Sequence, residues 1–290
     1  MNILELKICN PQNIFMENDL LSRHPEVSLV MATFNDKPEL LKVAIDSIVN
    51  QSFKDWELLI VDDSKDEATI AVIDNYCDAD NRIRVIRSSG ESYGFVPALN
   101  VGLRSAKGKY IGRMDGDDIS HPERLMKEVA FLNEHPEFDV VGTHTSIINS
   151  SGVVTSAIIF PDTGRRFRLF QIMRCPMQHG TILMRRELVD SGICYDENFK
   201  RSEDLELWLR LQKLGHRLYN IQEILYDFRI EDGYGSKRSK IHFKYNIKAR
   251  KKNLHWRHPF TGMLGLCVSC MYYYIPTSIK DKVYNYLNGR

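Results

Sequence analysis

Short apolar runs alternate with longer amphipathic segments along the first half of the chain. Four apolar runs bounded by turn formers predict buried strands, and these are Val27–Thr33, Leu58–Val61, Ile83–Ile86 and Tyr110–Met114. The segments between and after them predict helices, and these are Glu39–Val49, Glu67–Cys77, Val96–Ser105 and Pro122–Asn133. Strands and helices alternating at this length form right-handed βαβ units around a parallel sheet. The pattern therefore predicts an α/β half-domain of the nucleotide-binding type, with a mostly parallel central sheet and helices on both faces.

The alternation of strands and helices ends at Val140. Further strands joined by turns are predicted over Val140–Ile148, Gly152–Ile159, Gly180–Met184, His216–Ile221 and Ile224–Ile230. Ser202 is a typical N-cap for a helix from Glu203 to Leu214, and Gly215 is a typical residue at its end. Strands that follow a βαβ half indicate a mixed sheet whose second part receives another substrate.

The charge is distributed unevenly along the 290 residues. The net charge is +1, but residues 231–290 contain 12 Lys or Arg against 3 acids, which leaves about −8 on residues 1–230. The basic stretch is followed by an apolar, aromatic-rich segment between Pro259 and Pro276, which at about 16 residues is shorter than the roughly 20 needed to span a bilayer. This order predicts a helical tail that attaches peripherally to anionic lipid. Packing of both segments on the main domain is the alternative.

Composition and targeting signals place the chain among soluble globular proteins. Hydrophobic residues make up 43% and charged residues 27%, which is ordinary for that class. The N-terminus mixes charged residues with short apolar groups, unlike a signal peptide, and the six cysteines follow no disulfide framework. We therefore expect a cytoplasmic location or the inner face of the cell membrane. The predicted divisions are an N-terminal extension (1–24), the main domain (25–235) and the basic tail (236–290).

Two acidic clusters directly follow apolar runs. Asp62 and Asp63 end the second predicted strand, and Asp115, Asp117 and Asp118 follow the fourth. Carboxylates at the carboxyl ends of parallel strands lie where open α/β sheets bind ligands. Aspartates one residue apart can direct oxygen ligands to a single Mn²⁺ or Mg²⁺, and such an ion neutralises a diphosphate. The first hypothesis is metal-assisted chemistry on a nucleotide.

These acids also have simpler interpretations. Asp62 and Asp63 suit a strand end, where aspartate bonds nearby backbone amides. Three carboxylates within residues 115–118 repel one another unless a cation or several donors compensate, which favours a functional role there. Gly116 between them permits a close backbone approach by a phosphate-bearing ligand.

A third set of candidates lies in the second half. Glu203 and Asp204 occupy the first turn of a predicted helix, where the helix dipole stabilises carboxylates without any function. The functional alternative is that one of them accepts a proton from an attacking hydroxyl group. His179 could contact a phosphate or an acceptor, and a structural histidine is equally compatible with the sequence.

Six segments occur in an order and spacing that are specific together, and they are Val27–Asn35, Ser47–Phe53, Trp56–Asp63, Ala98–Leu103, Gly108–Asp118 and Ser202–Arg210. The chain from about residue 26 to 240 thereby resembles the family 2 glycosyltransferases, which have the GT-A nucleotide-diphospho-sugar transferase fold. The resemblance implies that Ala32, Thr33 and Asp63, with Asp62 beside it, hold the nucleotide. It implies that Asp115 and Asp117 are the family's Asp-x-Asp, which contacts the ribose and the metal.

The resemblance also implies the reaction. Asp204 matches the family's catalytic base, with Glu203 beside it, and one in-line displacement at the anomeric carbon would invert its stereochemistry. The donor would be a nucleotide sugar, with a UDP-hexose favoured. The acceptor would be a hydroxyl group of a saccharide or lipid-linked glycan in bacterial surface polysaccharide or lipopolysaccharide synthesis. Arg238 lies in a basic segment of the kind that closes over the diphosphate in this family, and membrane contact is its alternative role.

Two other functions are compatible with parts of the sequence. A nucleotidyltransferase acting on a sugar phosphate would share the sheet, the carboxylates and the metal, but would carry a glycine-rich basic loop after its first strand. Ala32–Asp36 has neither glycine nor a basic cluster. A noncatalytic sugar-nucleotide binder is the second alternative. The basic, aromatic tail would permit nucleic-acid contact, but the acidic body argues against that partner.

Overall fold

The computed structural model describes residues 24–88, 91–230 and 240–275. Within them the chain forms two compact units, one of residues 24–129 and 183–194 and one of residues 130–182 and 195–275. The predicted extension and Arg238 lie outside the described residues, apart from His24. The divisions at residues 24 and 236 therefore stay predictions.

The first unit contains the predicted parallel sheet. Its strands run in the order β3-β2-β1-β4-β8, with β1 at Val27–Thr33, β2 at Trp56–Asp62, β3 at Ile83–Arg87, β4 at Tyr110–Met114 and β8 at Leu183–Arg185. The first four are parallel and β8 is antiparallel to β4. A short strand β5 follows at Ile119–Ser120. Strands β1, β2 and β4 are buried almost throughout, as expected for a parallel sheet covered on both faces.

Helices connect these strands as the apolar spacing predicts. They are α1 at Pro38–Val49, α2 at Glu67–Ala79, α3 at Phe95–Ser105, α4 at Arg124–Glu134, which includes the unit boundary, and α6 at Arg186–Asp190. Pro38 begins α1, where its missing N–H has no partner to lose. Asp66 caps α2 by accepting from the Thr69 backbone amide (2.9 Å).

Strand register places the candidate residues at one sheet edge. Thr33 lies opposite Asp62, and Asp62 lies opposite Arg87. Met31 pairs with Met114, so Asp115 follows directly at the same end of β4. The carboxyl ends of β1, β2 and β4 therefore present their polar residues side by side.

Gly102 lets α3 pack closely on β1. A Cβ at this position would lie 2.2 Å from Val30 Cγ1. We expect Gly102→Ala to lower the free energy of unfolding by about 1–3 kcal/mol through overpacking, measured by urea denaturation. The double variant Val30→Ala/Gly102→Ala should be more stable than Gly102→Ala alone, because it removes the clashing methyl groups. A double variant no more stable than the single one would show that helix–strand packing is not the cause.

The second unit contains β6, β7 and β9, with β6 parallel to β9 and antiparallel to β7. Its elements are β6 at Val140–Ile148, β7 at Val154–Ile158, α5 at Gly164–Met173, a 3-10 turn at His179–Thr181, α7 at Glu203–Leu214, β9 at Leu218–Arg229, α8 at Lys240–Lys252 and α9 at Pro259–Tyr274. Gly215 ends α7 in the left-handed conformation at φ 104°, as predicted.

Two sequence expectations for the second half of the chain are wrong, and one helix is missed. The segments His216–Ile221 and Ile224–Ile230 form one strand instead of the two predicted. The register of this strand with β6 jumps from Ile221 to Ile224, so the polar pair Gln222 and Glu223 bulges out of the ladder. Gly180–Met184 is not one strand, since the 3-10 turn occupies its first half. Helix α5 was not predicted, because the turn formers before Gly164 obscure its apolar face of Phe167 and Ile172.

The two tail helices are packed into the second unit. Lys252 of α8 donates to the buried Glu206 of α7 (2.8 Å) and to Asp196 (2.7 Å). Arg250 is buried and donates to the Gln171 carbonyl of α5 (2.6 Å). Gly265 of α9 leaves room for the Arg250 guanidinium, which a Cβ would approach to 2.4 Å. Among residues 24–88, 91–230 and 240–275, no helix has the length and apolarity to cross a membrane.

Candidate active site

The Asp62 carboxylate forms hydrogen bonds within the first unit. Its carboxylate accepts from the Thr33 hydroxyl (3.1 Å), the Ser64 amide (2.9 Å) and Arg87 Nε (2.9 Å). The Asp62 side chain is buried. It therefore links the ends of β1, β2 and β3. Any contribution of Asp62 to nucleotide binding would be indirect, through the positions of these strand ends.

Asp63 holds the loop that begins α3. Its carboxylate accepts from the Ser92 hydroxyl (2.8 Å) and from the backbone amides of Tyr93 (3.0 Å) and Gly94 (2.8 Å). Gly94 has φ 76°, a conformation that glycine adopts without strain. Ala32 and Tyr93 pack on the same small core cluster. Thus two of the residues assigned to the nucleotide by resemblance, Ala32 and Asp63, adjoin one loop.

The second acidic cluster alternates between solvent and core. Asp115 and Asp117 are half-buried, whereas Gly116 and Asp118 are buried. Arg113 forms a two-bond ion pair with Asp115, in which Nη1 donates to Oδ2 (2.7 Å). Asp118 therefore points into the protein, and Asp115 and Asp117 are the two carboxylates of this cluster that a ligand can reach.

Asp36 is an additional member of the site that sequence reasoning missed. It lies in the loop after β1, and its Oδ2 would be 2.6 Å from a Cβ at Gly116. Burial and then, in decreasing order, the charges of Asp117, Asp115 and Asp62 together raise the pKa of Asp36 to about 6. The signal in the sequence is Asn35 directly before it, because asparagine tolerates the left-handed conformation that it adopts here (φ 51°). An acid directly after such a residue at a strand end was a candidate.

This arrangement fits a divalent cation that is shared with a diphosphate. Mutual repulsion among carboxylates favours a positive ion between them, and Asp oxygens are the ligands Mg²⁺ and Mn²⁺ prefer. In the described part of the chain, no three His, Cys, Asp or Glu side chains are grouped so as to hold a metal unaided. A site of one or two carboxylates completed by phosphate oxygens and water is the usual form for Mg²⁺.

The raised pKa of Asp36 predicts that replacing this acid by a neutral residue stabilises the protein by an amount that depends on pH. Because the folded-state pKa of Asp36 (about 6) exceeds its ordinary value of 3.8, the wild type loses stability as pH rises from about 4 to 6. In EDTA at pH 7.5, the free energy of unfolding of Asp36→Asn should be about 1 kcal/mol higher than that of the wild type, after allowance for solvent screening. It should gain nearly nothing at pH 4. Urea titrations at both pH values test this, with Asp78→Asn, an exposed acid of α2, as the control. An equal gain at both pH values would contradict the charge explanation.

In the second unit, Asp204 lies in the first turn of α7. Its Oδ1 accepts from the Leu205 amide (2.7 Å), and its Oδ2 accepts from the Cys175 thiol (3.3 Å). Burial and the Asp204 charge raise the pKa of Cys175 well above its usual value, so the thiol stays protonated and remains a donor. Asp204 therefore offers a carboxylate at the start of α7 that is of the type able to accept a proton from a hydroxyl group.

His179 and Glu203 form a separate pair beside that helix. His179 Nε2 is 2.7 Å from the Tyr195 hydroxyl, and its Nδ1 is 3.9 Å from Glu203 Oε1. The His179 ring also contacts Trp208 edge-on, with centroids 6.2 Å apart. Both side chains are largely buried, so these contacts orient the start of α7.

Ser202 does not cap α7 in the predicted way. It occupies the N-cap position with φ 59°, and its side chain makes no capping bond. The left-handed backbone turns the hydroxyl away from the amides of the first turn. Ser202 is buried and its Oγ has no hydrogen-bond partner within the described residues.

The candidate residues fall into two groups. The first unit brings Ala32, Thr33, Asp62, Asp63, Asp115 and Asp117 to the carboxyl edge of its sheet, together with Asp36 and with Asp118 turned inward. The second unit brings His179, Glu203 and Asp204 together at the start of α7.

A comparison with protein families decides what this chain is. Residues 28–192, more than half of the chain, match the profile of Glycosyl transferase family 2. The chain belongs to glycosyl transferase family 2. The match includes the Asp115 and Asp117 segment of this transferase and ends before α7.

Relatives of the transferase extend the likeness along the chain. EpsE of Bacillus subtilis, named as a glycosyltransferase, is 37% identical over 228 residues, which cover 77% of this chain and 78% of EpsE. The O-antigen biosynthesis glycosyltransferase WbnJ of Escherichia coli is 28% identical over 260 residues, covering 88% of this chain and 97% of WbnJ. Both segments are longer than the family match itself.

Solved structures confirm the predicted GT-A fold. The S. aureus TarS fragment 1–349 in complex with UDP-GlcNAc has a TM-score of 0.62 at 20% identity, covering 89% of this chain and 70% of that one. The mannosyltransferase PcManGT from Pyrobaculum calidifontis, in complex with GDP-Man and Mn²⁺, has a TM-score of 0.66 at 16% identity, covering 89% and 72%. At these identities the likeness concerns the fold.

Proposed function

We propose that this transferase moves a hexose from a UDP-sugar to a hydroxyl group of a bacterial surface glycan, with inversion at the anomeric carbon. The observation that carries the proposal is the group of carboxylates, Asp36, Asp115 and Asp117, at the carboxyl edge of a parallel sheet in a family 2 chain. That edge is where open α/β sheets bind nucleotides. The complexes of TarS with UDP-GlcNAc and of PcManGT with GDP-Man and Mn²⁺ support a nucleotide-sugar donor.

The nucleotide is assigned to the loops after β1 and β2. Asp63, which organises residues 92–94, and Ala32 and Thr33 at the end of β1 would hold the base and ribose, with Asp62 fixing the strand ends. Asp115, the first acid of the Asp-x-Asp, would contact the ribose as well as the metal. These roles come from the family resemblance and agree with the exposure of Asp63 and Asp115.

Asp117 and Asp115 would hold a divalent ion, Mn²⁺ or Mg²⁺, together with the donor diphosphate. When bound, the ion neutralises the negative charge that develops on the departing nucleoside diphosphate. The Mn²⁺ complex of PcManGT supports the choice of metal class. Asp36 adds negative charge to the same location.

Asp204 is proposed as the general base that deprotonates the acceptor hydroxyl. A single displacement needs one base and no carboxylate nucleophile, in contrast to the double displacement of retaining glycosidases. Glu203 and His179 would position the first turn of α7 that bears this base. Arg238, outside the described residues, is proposed to contact the diphosphate.

The acceptor is proposed to be a saccharide or a lipid-linked glycan at the cytoplasmic face of the membrane. The O-antigen biosynthesis role in the name of WbnJ supports a surface-polysaccharide setting. The basic residues of 240–275 other than the paired Lys252 and the buried Arg250 support a peripheral position at that face, because the segment itself contains no Asp or Glu.

Release of UDP from a panel of nucleotide sugars, with Mn²⁺, with Mg²⁺ and with EDTA, tests the proposal. One UDP-sugar should be consumed faster with a divalent ion than in EDTA, and faster still with the right acceptor. Binding of UDP-sugar without turnover under every condition would instead indicate a noncatalytic binder. The anomeric configuration of the product, read by NMR, tests inversion separately.

A further inference from the structure

Helix α9 has an apolar face that nothing in the described chain covers. Its exposed residues recur at helical spacing on one side, and they are Phe260, Met263, Leu264, Cys267, Met271 and Tyr274. Gly265 and Ser269, on the other side, are buried against the unit. Trp256, just before the helix, is 83% exposed and Phe260 is 88% exposed. Large contiguous apolar surfaces of this kind mark interaction sites.

A cationic cavity lies beside the beginning of this helix. It has a volume of about 300 Å³, at the lower limit of small-molecule sites (about 300–1,000 Å³). Its charged lining comprises Arg168, His216, Arg217, Arg257 and His258, and no Asp or Glu of the described residues lines it. Thr163 and Gly164 at the N-terminal end of α5 also line it, and helix N-termini favour anions.

The positive charge of the cavity is largely uncompensated. His216 is paired with Asp139 (3.2 Å), whereas Arg168, Arg217 and Arg257 have no carboxylate within 4 Å among the described residues. The pKa of His258 lies below its usual value, chiefly through burial and then through the charges of Arg168, His255 and Arg257. An anion in this cavity would relieve that repulsion.

We propose that the outer face of α9 and the adjacent cationic cavity form one docking surface for an anionic bilayer. Phosphate headgroups would enter the cavity, and Trp256 and Phe260 would insert among the acyl chains near the interface, as in interfacial helices. The proposal commits to lipid because the apolar face and the cation cluster meet at residues 256–260, which matches the order of charge and hydrocarbon in a membrane. It rests on the proposed function only in that a lipid-borne acceptor explains the need for such a surface.

Co-sedimentation of the full chain with vesicles tests this surface. Wild type should bind phosphatidylcholine vesicles containing 30% phosphatidylglycerol at least about 10-fold more strongly than pure phosphatidylcholine, with loss of the preference in high salt. Trp256→Ser/Phe260→Ser should bind both at least about 10-fold less. Arg168→Gln/Arg257→Gln should bind the anionic vesicles alone about 30-fold less, or about 2 kcal/mol for the two basic residues.

Matched controls come from other exposed positions. Val153→Ser/Val154→Ser removes two apolar residues that are 60% exposed, and Lys54→Gln/Arg104→Gln removes two exposed charges of the first unit; neither pair should change vesicle binding. Vesicle binding that is unaffected by the tail variants, or glycerol phosphate binding without vesicle binding, overturns the proposal. UDP release by each variant is measured in parallel. Wild type that binds anionic vesicles but turns over no nucleotide sugar supports the docking surface and contradicts the proposed function.

Discussion

Replacement of Asp204 by asparagine is expected to lower kcat for sugar transfer by about 10²–10⁴-fold, the range typical of a lost general base. The amide matches the carboxylate in size, and its one oxygen can still accept from the Leu205 amide, while its NH2 group faces the Cys175 sulfur in place of the second carboxylate oxygen. It cannot take a proton from the acceptor hydroxyl. The change therefore removes the base and keeps the Leu205 contact that places the side chain.

Two measurements separate this effect from general damage. The Kd for UDP in the presence of Mn²⁺ should stay within about twofold of wild type, and the urea midpoint should be nearly unchanged. Asp78→Asn, which neutralises an exposed acid at the end of α2, should leave kcat at the wild-type value. Weakened donor binding with transfer largely retained would show that Asp204 is not the base.

The second large effect is expected at Asp117. Asp117→Asn should weaken UDP binding in Mn²⁺ by at least about 100-fold, or about 2.7 kcal/mol, because a neutral amide is a poor ligand for a hard cation. In EDTA the variant and the wild type should bind UDP equally. The metal-dependent difference in affinity should thus disappear, as measured by titration calorimetry.

The same titration identifies the alternative. If Asp117→Asn weakens UDP binding equally with Mn²⁺ and with EDTA, Asp117 contacts the nucleotide directly and the metal role is wrong. Asp78→Asn again serves as a neutralised acid remote from the sheet edge. Circular dichroism of both variants shows whether the fold is retained.

The sequence predicted the first unit well because parallel strands buried on both faces are continuous apolar runs. The strands Val27–Thr33 and Leu58–Val61 needed no tertiary information, and their parallel direction followed from the βαβ rule. The acids at the strand ends were found for the same reason. Family membership then confirmed both the fold and the class of reaction.

Long-range packing determined what the sequence could not predict. Asp36 joins Asp115 and Asp117 only because Asn35 adopts a left-handed conformation and Gly116 has no side chain. The bulge in β9 depends on its partner β6, so Gln222 and Glu223 looked like a break between two strands. Ser202 has the right identity for an N-cap, but its backbone conformation directs the hydroxyl elsewhere.

The ion pair between Lys252 of α8 and Glu206 of α7 has a practical consequence for deletion experiments. Shortening the chain before α8 would remove Lys252 and leave the Glu206 carboxylate buried on α7, two residues from Asp204. Arg210 would then be its remaining cationic neighbour among the described residues. We expect a chain shortened in this way to lose turnover through damage to the helix that bears the proposed base Asp204, whatever its effect on membrane binding. Single-residue substitutions on the outer surface of α9 test lipid binding without removing Lys252.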